Sequence, residues 1–276
     1  MPGTLYVVAT PIGNLEDLTY RAARVLGEVE LIVAEDTRQT RKLLTHLGLH
    51  KPLLSYNEHN ADQRTPRIME ALRTGDVALV SDAGTPLVSD PGAALVRAAA
   101  GLGADVVALP GPSAVTTALA AAGMPAGAFQ FLGFTPRARK ARREALTAYA
   151  RDPLTLVVFE APHRLRAALT DMRETLGDRE VVVCRELTKL HEELFRGTLS
   201  AAEEHFTEPR GEFVLVIAGA APIERPAPDT AAARRELGRL KAAGMSRRDA
   251  SARVIEAYGV SRREAYRIWL EASTAC

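Results

Sequence analysis

The sequence predicts an α/β protein built as two successive α/β domains followed by a small helical module. Three observations carry this. Short runs rich in Val, Leu and Ile alternate with longer amphipathic stretches, the signature of strands and helices that cover one another. Several of those runs end in loops of Gly, Pro, Ser and Asp, the residues that turn a chain sharply. A proline-rich tract then precedes three helical segments that carry their own capping residues.

In chain order, residues 5–9, 31–34, 77–80 and 106–109 are almost continuously apolar, as strands buried on both faces are. Helical periodicity fills the intervals at 18–26, 40–47 and 93–100. This alternation predicts a mostly parallel sheet in a first domain, residues 1–123, ended by the hinge Gly123-Met124-Pro125. A second domain, 124–221, offers strands at 129–132, 154–159, 181–184, 193–196 and 213–218. The later ones crowd together, so a mixed sheet is expected there. Residues 222–229 read as a linker. In the module 230–276, a helix over 231–243 ends at Gly244, and Ser246 caps another that Gly259 closes after Tyr258. Ser261 caps the last helix, with Glu264 three residues on completing a capping box. Helix, short glycine turn and helix give the outline of a helix-turn-helix.

Composition narrows the function classes. The chain has 276 residues, 47% hydrophobic and 25% charged, enough for two substantial cores. A formal net charge of +1 excludes a strong global pull on polyanions, so any nucleic-acid binding rests on local clusters. Two cysteines, Cys184 and Cys276, make no disulfide framework and suit a reducing compartment. No basic segment precedes the first apolar run, and the apolar regions are broken by Arg97, Asp105 or prolines. A cytoplasmic protein without a membrane span is expected.

Ligands of open α/β sheets bind beyond the carboxyl ends of the strands, so the loops there carry the chemistry. The first, Thr10-Pro11-Ile12-Gly13-Asn14-Leu15, has neither a dinucleotide fingerprint nor a Walker lysine. After the third strand comes Ser81-Asp82-Ala83-Gly84-Thr85-Pro86, running on through Asp90-Pro91-Gly92. Small residues there let a ligand approach the backbone, and Asp82 puts a carboxylate at the strand tip. Leu109-Pro110-Gly111-Pro112-Ser113-Ala114 ends with a serine placed to cap an Ala-rich helix. The second domain adds Phe159-Glu160-Ala161-Pro162-His163-Arg164 and the charged run 185–193. His191-Glu192 lacks the second histidine of a zinc helix, and no Gly-x-Ser-x-Gly elbow occurs. Metal and hydride chemistry are disfavoured.

Taken together and in this order, the stretches 10–18, 34–38, 81–92, 109–114, 159–164 and 185–189 resemble the tetrapyrrole methylase-like superfamily, the class III methyltransferases. Within it they are similar to a bacterial branch that methylates small-subunit ribosomal RNA, and the resemblance runs the whole chain. It implies two α/β domains with S-adenosylmethionine held between them, usually in a homodimer. It also implies 2′-O-methylation of cytidine 1402 in 16S rRNA, with the rRNA or the 30S subunit as partner. Carried over by position, the cofactor would touch Pro11, Asp82, Ala83, Gly84, Thr85, Ser113 and Ala114, with Ala161 and the segment at Glu212 closing over it. The superfamily commonly has Gly-Asp-Pro where this chain has Ser81-Asp82-Ala83, so only Asp82 is kept.

A ribose hydroxyl is a poor nucleophile, so a base or a cation near the reacting oxygen is needed. Asp36, Glu186 and Lys189 are the catalytic candidates, with Arg38 available for phosphate. Arg137, Arg139, Lys140, Arg142 and Arg143 form a dense cationic stretch suited to RNA phosphates. The C-terminal module adds ten more cations against Glu236, Asp249, Glu256, Glu264 and Glu271. Two alternatives stay open: a methylase of a small tetrapyrrole, and a non-enzymatic nucleic-acid-binding protein that uses the helix-turn-helix alone.

Overall fold

The computed structural model describes residues 2–221 and 229–271. It divides into two compact units, Met1–Ala220 and Ala221–Cys276.

The first unit holds two sheets. One consists of β1 (Thr4–Val8), β2 (Leu31–Ala34), β3 (Leu53–Ser55), β4 (Val77–Val80) and β5 (Asp105–Leu109). All its pairings are parallel, in the order β3-β2-β4-β1-β5. The crossovers are α1 (Tyr20–Glu28), α2 (Thr37–His46), α3 (Ala61–Thr74) and α4 (Ala93–Gly101). Alternate residues of one strand serve opposite faces: Ala78 and Val80 join the core under α1 and α2, while Val77 and Leu79 join the core with Ile68, Leu72 and Leu95. β3 and α3 were not expected. A three-residue strand after Pro52 is too short to show alternation, and Pro66 interrupts the pattern of α3 without ending the helix.

The second sheet contains β6 (Phe129–Phe134), β7 (Thr155–Glu160), β8 (Glu180–Arg185), β9 (Glu193–Thr198) and β10 (Phe213–Ile217). Its order is β6-β7-β10-β8-β9; β6 and β7 are parallel and the other pairs antiparallel. The sheet is mixed, as its closely spaced strands predict. Helices α6 (Arg139–Thr147), α7 (Pro162–Leu176) and α8 (Leu199–His205), none of them among the helices expected from the sequence, bury one face through Leu146, Leu165, Leu169 and Leu199.

The other face is covered by α5 (Ala114–Ala122), which follows β5 in the chain. Val115, Ala118, Leu119 and Ala122 pack with Val157, Val182, Val214 and Val216 of the second sheet. Arg196 of β9 donates to the carbonyls of Ala121 (2.5 Å) and Ala122 (2.7 Å), placing a cation on the carboxyl end of α5. A helix supplied by the first half of the chain therefore belongs to the core of the second half, and residues 1–220 cluster as one unit.

The second unit packs α9 (Thr230–Ala242), α10 (Arg247–Tyr258) and α11 (Arg262–Glu271) around Leu237, Leu240, Val254 and Ile268. Ser246 accepts from the Asp249 amide and Ser261 from the Glu264 amide, and Gly259 closes α10 in the left-handed region (φ 67°). Of the linker expected at 222–229 only Asp229 is among the described residues, where it caps α9 through the Ala232 amide. Cys276 lies outside them; Cys184 is a buried free thiol. No described helix is long and apolar enough to cross a membrane.

Candidate active site

Three strand exits of the parallel sheet are fastened side by side. The Thr10 amide donates to the Gly84 carbonyl (2.8 Å) and the Gly84 amide returns a bond to Thr10 (2.9 Å). The Ser81 hydroxyl donates to the Gly84 carbonyl, and the Thr85 hydroxyl reaches the Pro112 carbonyl (3.1 Å). Gly84 sits at φ +83°, where a side chain would be strained, and a Cβ there would come within 3.3 Å of Ile12. Further along, Leu87 (φ 75°) and Ser89 (φ 67°) hold left-handed conformations without being glycine, at about 1 kcal/mol or more each. Such strain persists only where surrounding contacts impose it.

Beyond these exits lies a cavity of about 500 Å³. One wall is Asp82, Ala83, Gly84, Thr85, Ser113 and Ala114; the facing wall is Phe159, Glu160, Ala161, Glu212 and Val214 from the second sheet. Eight of the nine residues proposed for the cofactor thus meet at one cavity. The exception is Pro11, which borders a separate space of about 240 Å³ with Gln39 and Asp82; from its loop it is Ile12 that reaches the main cavity. Ser113 stands at the N-cap of α5, yet its side chain makes no capping bond, so capping does not account for it.

The electrostatics of the cavity are acidic. Burial raises the carboxyls of Glu35, Asp82 and Asp90, and repulsion from nearby carboxylates adds to it: Asp90 and Asp82 act on Glu35, Asp36 on Asp82, and Asp82 on Asp90. Asp90 is pushed up to about 6, by burial first, with a Ser81 hydrogen bond opposing and Asp82 reinforcing the shift. Among the described residues no salt bridge closes on any of these three carboxylates. Glu160 is different. It accepts from the Thr135 hydroxyl (2.5 Å) and the Ala161 amide (2.9 Å) and pairs with Arg164 (3.1 Å) while fully buried. Small residues, apolar patches and uncompensated negative charge suit a positively charged ligand with apolar parts.

The catalytic candidates read from the sequence lie elsewhere. Asp36 caps α2 through the Arg38 amide (2.8 Å) and clasps the Arg38 guanidinium; those bonds hold its carboxyl down at about 2. Glu186 accepts from the Glu212 amide (2.9 Å), and Lys189 bridges Glu186 and Glu212 at 2.9 Å each. All three brace the walls, and none borders the cavity. Besides Asp82 and Glu212, three carboxylates border it that the sequence does not single out: Glu35, Asp90 and Glu160. One signal was available: an Asp directly before a helical run is an N-cap, which leaves its neighbour Glu35 for the site.

The cationic stretch is also sorted by the structure. Arg142 is buried, with two guanidinium nitrogens on Asp171 at 2.8 and 2.5 Å, so its assignment to RNA is corrected: it is a core ion pair. Arg139 leans on Asp171 and Glu174, and Arg143 pairs with Glu174. Arg137 and Lys140 are exposed, and among the described residues no acid closes on either. Arg38 is exposed but bound to Asp36.

Residues 4–203 match the model of the Tetrapyrrole (Corrin/Porphyrin) Methylases. A ribosomal RNA small subunit methyltransferase I from a Synechocystis strain is 46% identical over 273 residues, covering 98% of both chains. The protein of that name from Thermotoga maritima is 49% identical over 220 residues, 79% of this chain and 99% of its own. Among solved structures, a uroporphyrin-III C-methyltransferase from Thermus thermophilus, complexed with S-adenosyl homocysteine, superposes with a TM-score of 0.57 at 22% identity over 78% of this chain and 97% of its own. S-adenosyl homocysteine is the thioether left when S-adenosylmethionine gives up its methyl group, and the acidic, small-residue cavity suits the positively charged sulfonium of that parent donor. Family membership sets aside the non-enzymatic alternative. The chain belongs to the tetrapyrrole methylase family, in the group of the small subunit methyltransferase I proteins, and is a methyltransferase whose donor is S-adenosylmethionine.

Proposed function

We propose that this enzyme methylates the ribose 2′-hydroxyl of cytidine 1402 in 16S ribosomal RNA. The observation that carries the reading is the likeness, along 98% of both chains, to a relative named for ribosomal RNA methylation. An acidic donor cavity beside exposed cations is consistent with it.

The reaction is an in-line displacement. When bound, the donor would supply a methyl carbon on a thioether leaving group. The site would hold the 2′-oxygen in line with it, and the hydroxyl proton would pass to a carboxylate of this chain. Most of the acceleration comes from holding oxygen and methyl aligned. Asp82, Ala83, Gly84, Thr85, Ser113, Ala114, Ala161 and Glu212 hold the donor in this reading. Asp90, with a carboxyl near 6, is suited to receive the proton, because it is mostly ionised at neutral pH yet more basic than an ordinary aspartate. Asp36, Glu186 and Lys189 act through the groups they brace. Arg137 and Lys140 meet phosphates, and Arg38 does so if released from Asp36.

The reading extends to a cytoplasmic homodimer that acts on the rRNA or the 30S subunit. Mapping ribose methylation across 16S rRNA from cells lacking the protein tests it: loss at one cytidine, restored by the gene, is the expected result. An unchanged map refutes it. Light scattering in solution tests the dimer.

A further inference from the structure

Beside the donor cavity runs a second space of about 500 Å³, bordered by Phe134, Thr135, Pro136, Arg137, His163 and Arg164. The two share Phe134 and Ala161 as a common wall. Phe134 is a large apolar side chain left 55% exposed at that junction.

Its exposure is built into the backbone. The β6–β7 register shifts between Phe131 and Phe134, and Gly133 within the shift takes φ +62°. An irregularity of this kind re-aims the side chain that follows it. A Cβ on Gly133 would stand 3.0 Å from the Ser89 hydroxyl, so the shifted strand lies against the strained loop of the other sheet. Phe134 contacts Phe159 edge to face (centroids 5.6 Å apart), and its ring is supported without being covered. The floor is also fixed: the Arg164 guanidinium donates to the Thr135 carbonyl and hydroxyl and to Glu160, a spent cation rather than a free one. Arg137 is exposed at the rim, and His163 is exposed in the first turn of α7.

An aromatic face beside the donor cavity, next to an arginine on which no acid closes among the described residues, is the composition of a nucleotide subsite: base on the ring, phosphate on the guanidinium. We propose that this shelf receives the target nucleotide after it leaves its stack, with the cytosine base on Phe134 and a flanking phosphate on Arg137. This rests on the reading of the enzyme as an RNA ribose methyltransferase and adds where the base and phosphate bind.

The test uses full-length enzyme with 30S subunits and labelled S-adenosylmethionine. Phe134→Leu keeps apolar bulk but removes the stacking face, and raises KM for the RNA substrate roughly tenfold or more. The Kd for S-adenosylmethionine, read by calorimetry, moves far less, and Phe134→Trp restores the RNA KM. Arg137→Gln weakens RNA binding and lowers its salt dependence by about one counterion. If the wild type methylates RNA and both variants keep its KM and salt slope, the shelf assignment is overturned while the function stands. Equal loss of donor and RNA binding in Phe134→Leu, not rescued by Trp, makes the residue structural and also overturns it. A wild type that methylates no RNA removes both readings.

Discussion

Two carboxylates that line one cavity from different sheets, Asp90 and Glu160, differ in a way that separates site from scaffold. Glu160 ends a central strand of the mixed sheet, is fully buried, and is surrounded by a hydroxyl, an amide and a guanidinium. Asp90 follows the strained loop after β4, has only the Ser81 hydroxyl as partner among the described residues, and carries a carboxyl raised to about 6 by burial and by Asp82. A buried charge that is paired holds structure together. One left without a cation holds free energy that a positive ligand releases.

The largest effect should come from breaking the paired group. Glu160→Ala orphans the Arg164 guanidinium and should cost about 3–5 kcal/mol of stability, seen as a large drop in the unfolding midpoint. Arg142→Ala should cost less, about 2–3 kcal/mol, because buried Asp171 loses its buried partner but keeps the exposed Arg139 (3.1 Å). If Glu160→Ala unfolds at the wild-type temperature, the distinction between scaffold and site fails.

The next effect falls on binding. Asp82→Ala should weaken S-adenosylmethionine by roughly tenfold or more, about 1.4 kcal/mol, with little change in unfolding. Asp82 faces the cavity, and its carboxylate also holds the Asp36 amide (2.9 Å). Unchanged affinity by calorimetry would count against the site.

The smallest effect has a sign that sharpens the comparison. The folded chain binds the Asp90 proton more tightly than the unfolded chain, so this group's contribution to stability falls as pH rises from about 4 through about 6. Asp90→Asn should therefore gain about 1 kcal/mol at pH 7, after discounting for solvent screening at this half-buried position, and nothing below pH 4. Donor affinity should tighten in the wild type as pH rises from 5 to 7, because the ionised carboxylate attracts the sulfonium, and should respond less in Asp90→Asn. A flat wild-type profile would remove Asp90 from the donor's surroundings.

Much of this was legible in the chain. The strands of the parallel sheet are apolar runs whose exits carry loops of small and polar residues, and local composition is enough to show both. The position of Asp82 at a strand exit marks its loop for a ligand, whereas Ser113, Ala114 and Ala161 come to the site only through the resemblance to the methylase family, and all of them line the cavity. Roles that depend on partners distant in sequence were not legible. Arg142 and Arg137 are five residues apart in one basic run, and only the approach of Asp171 from α7 buries the first and leaves the second exposed.

Sequence alone determined the two kinds of sheet, the capped helices of the second unit and the small-residue loops at the strand exits, because each is written in neighbouring residues. Tertiary structure alone decided that α5 covers the second sheet, that Glu35 and Asp90 rather than Asp36 face the cavity, and that Phe134 turns outward. Those outcomes depend on packing and charge between residues tens of positions apart, which no local pattern encodes.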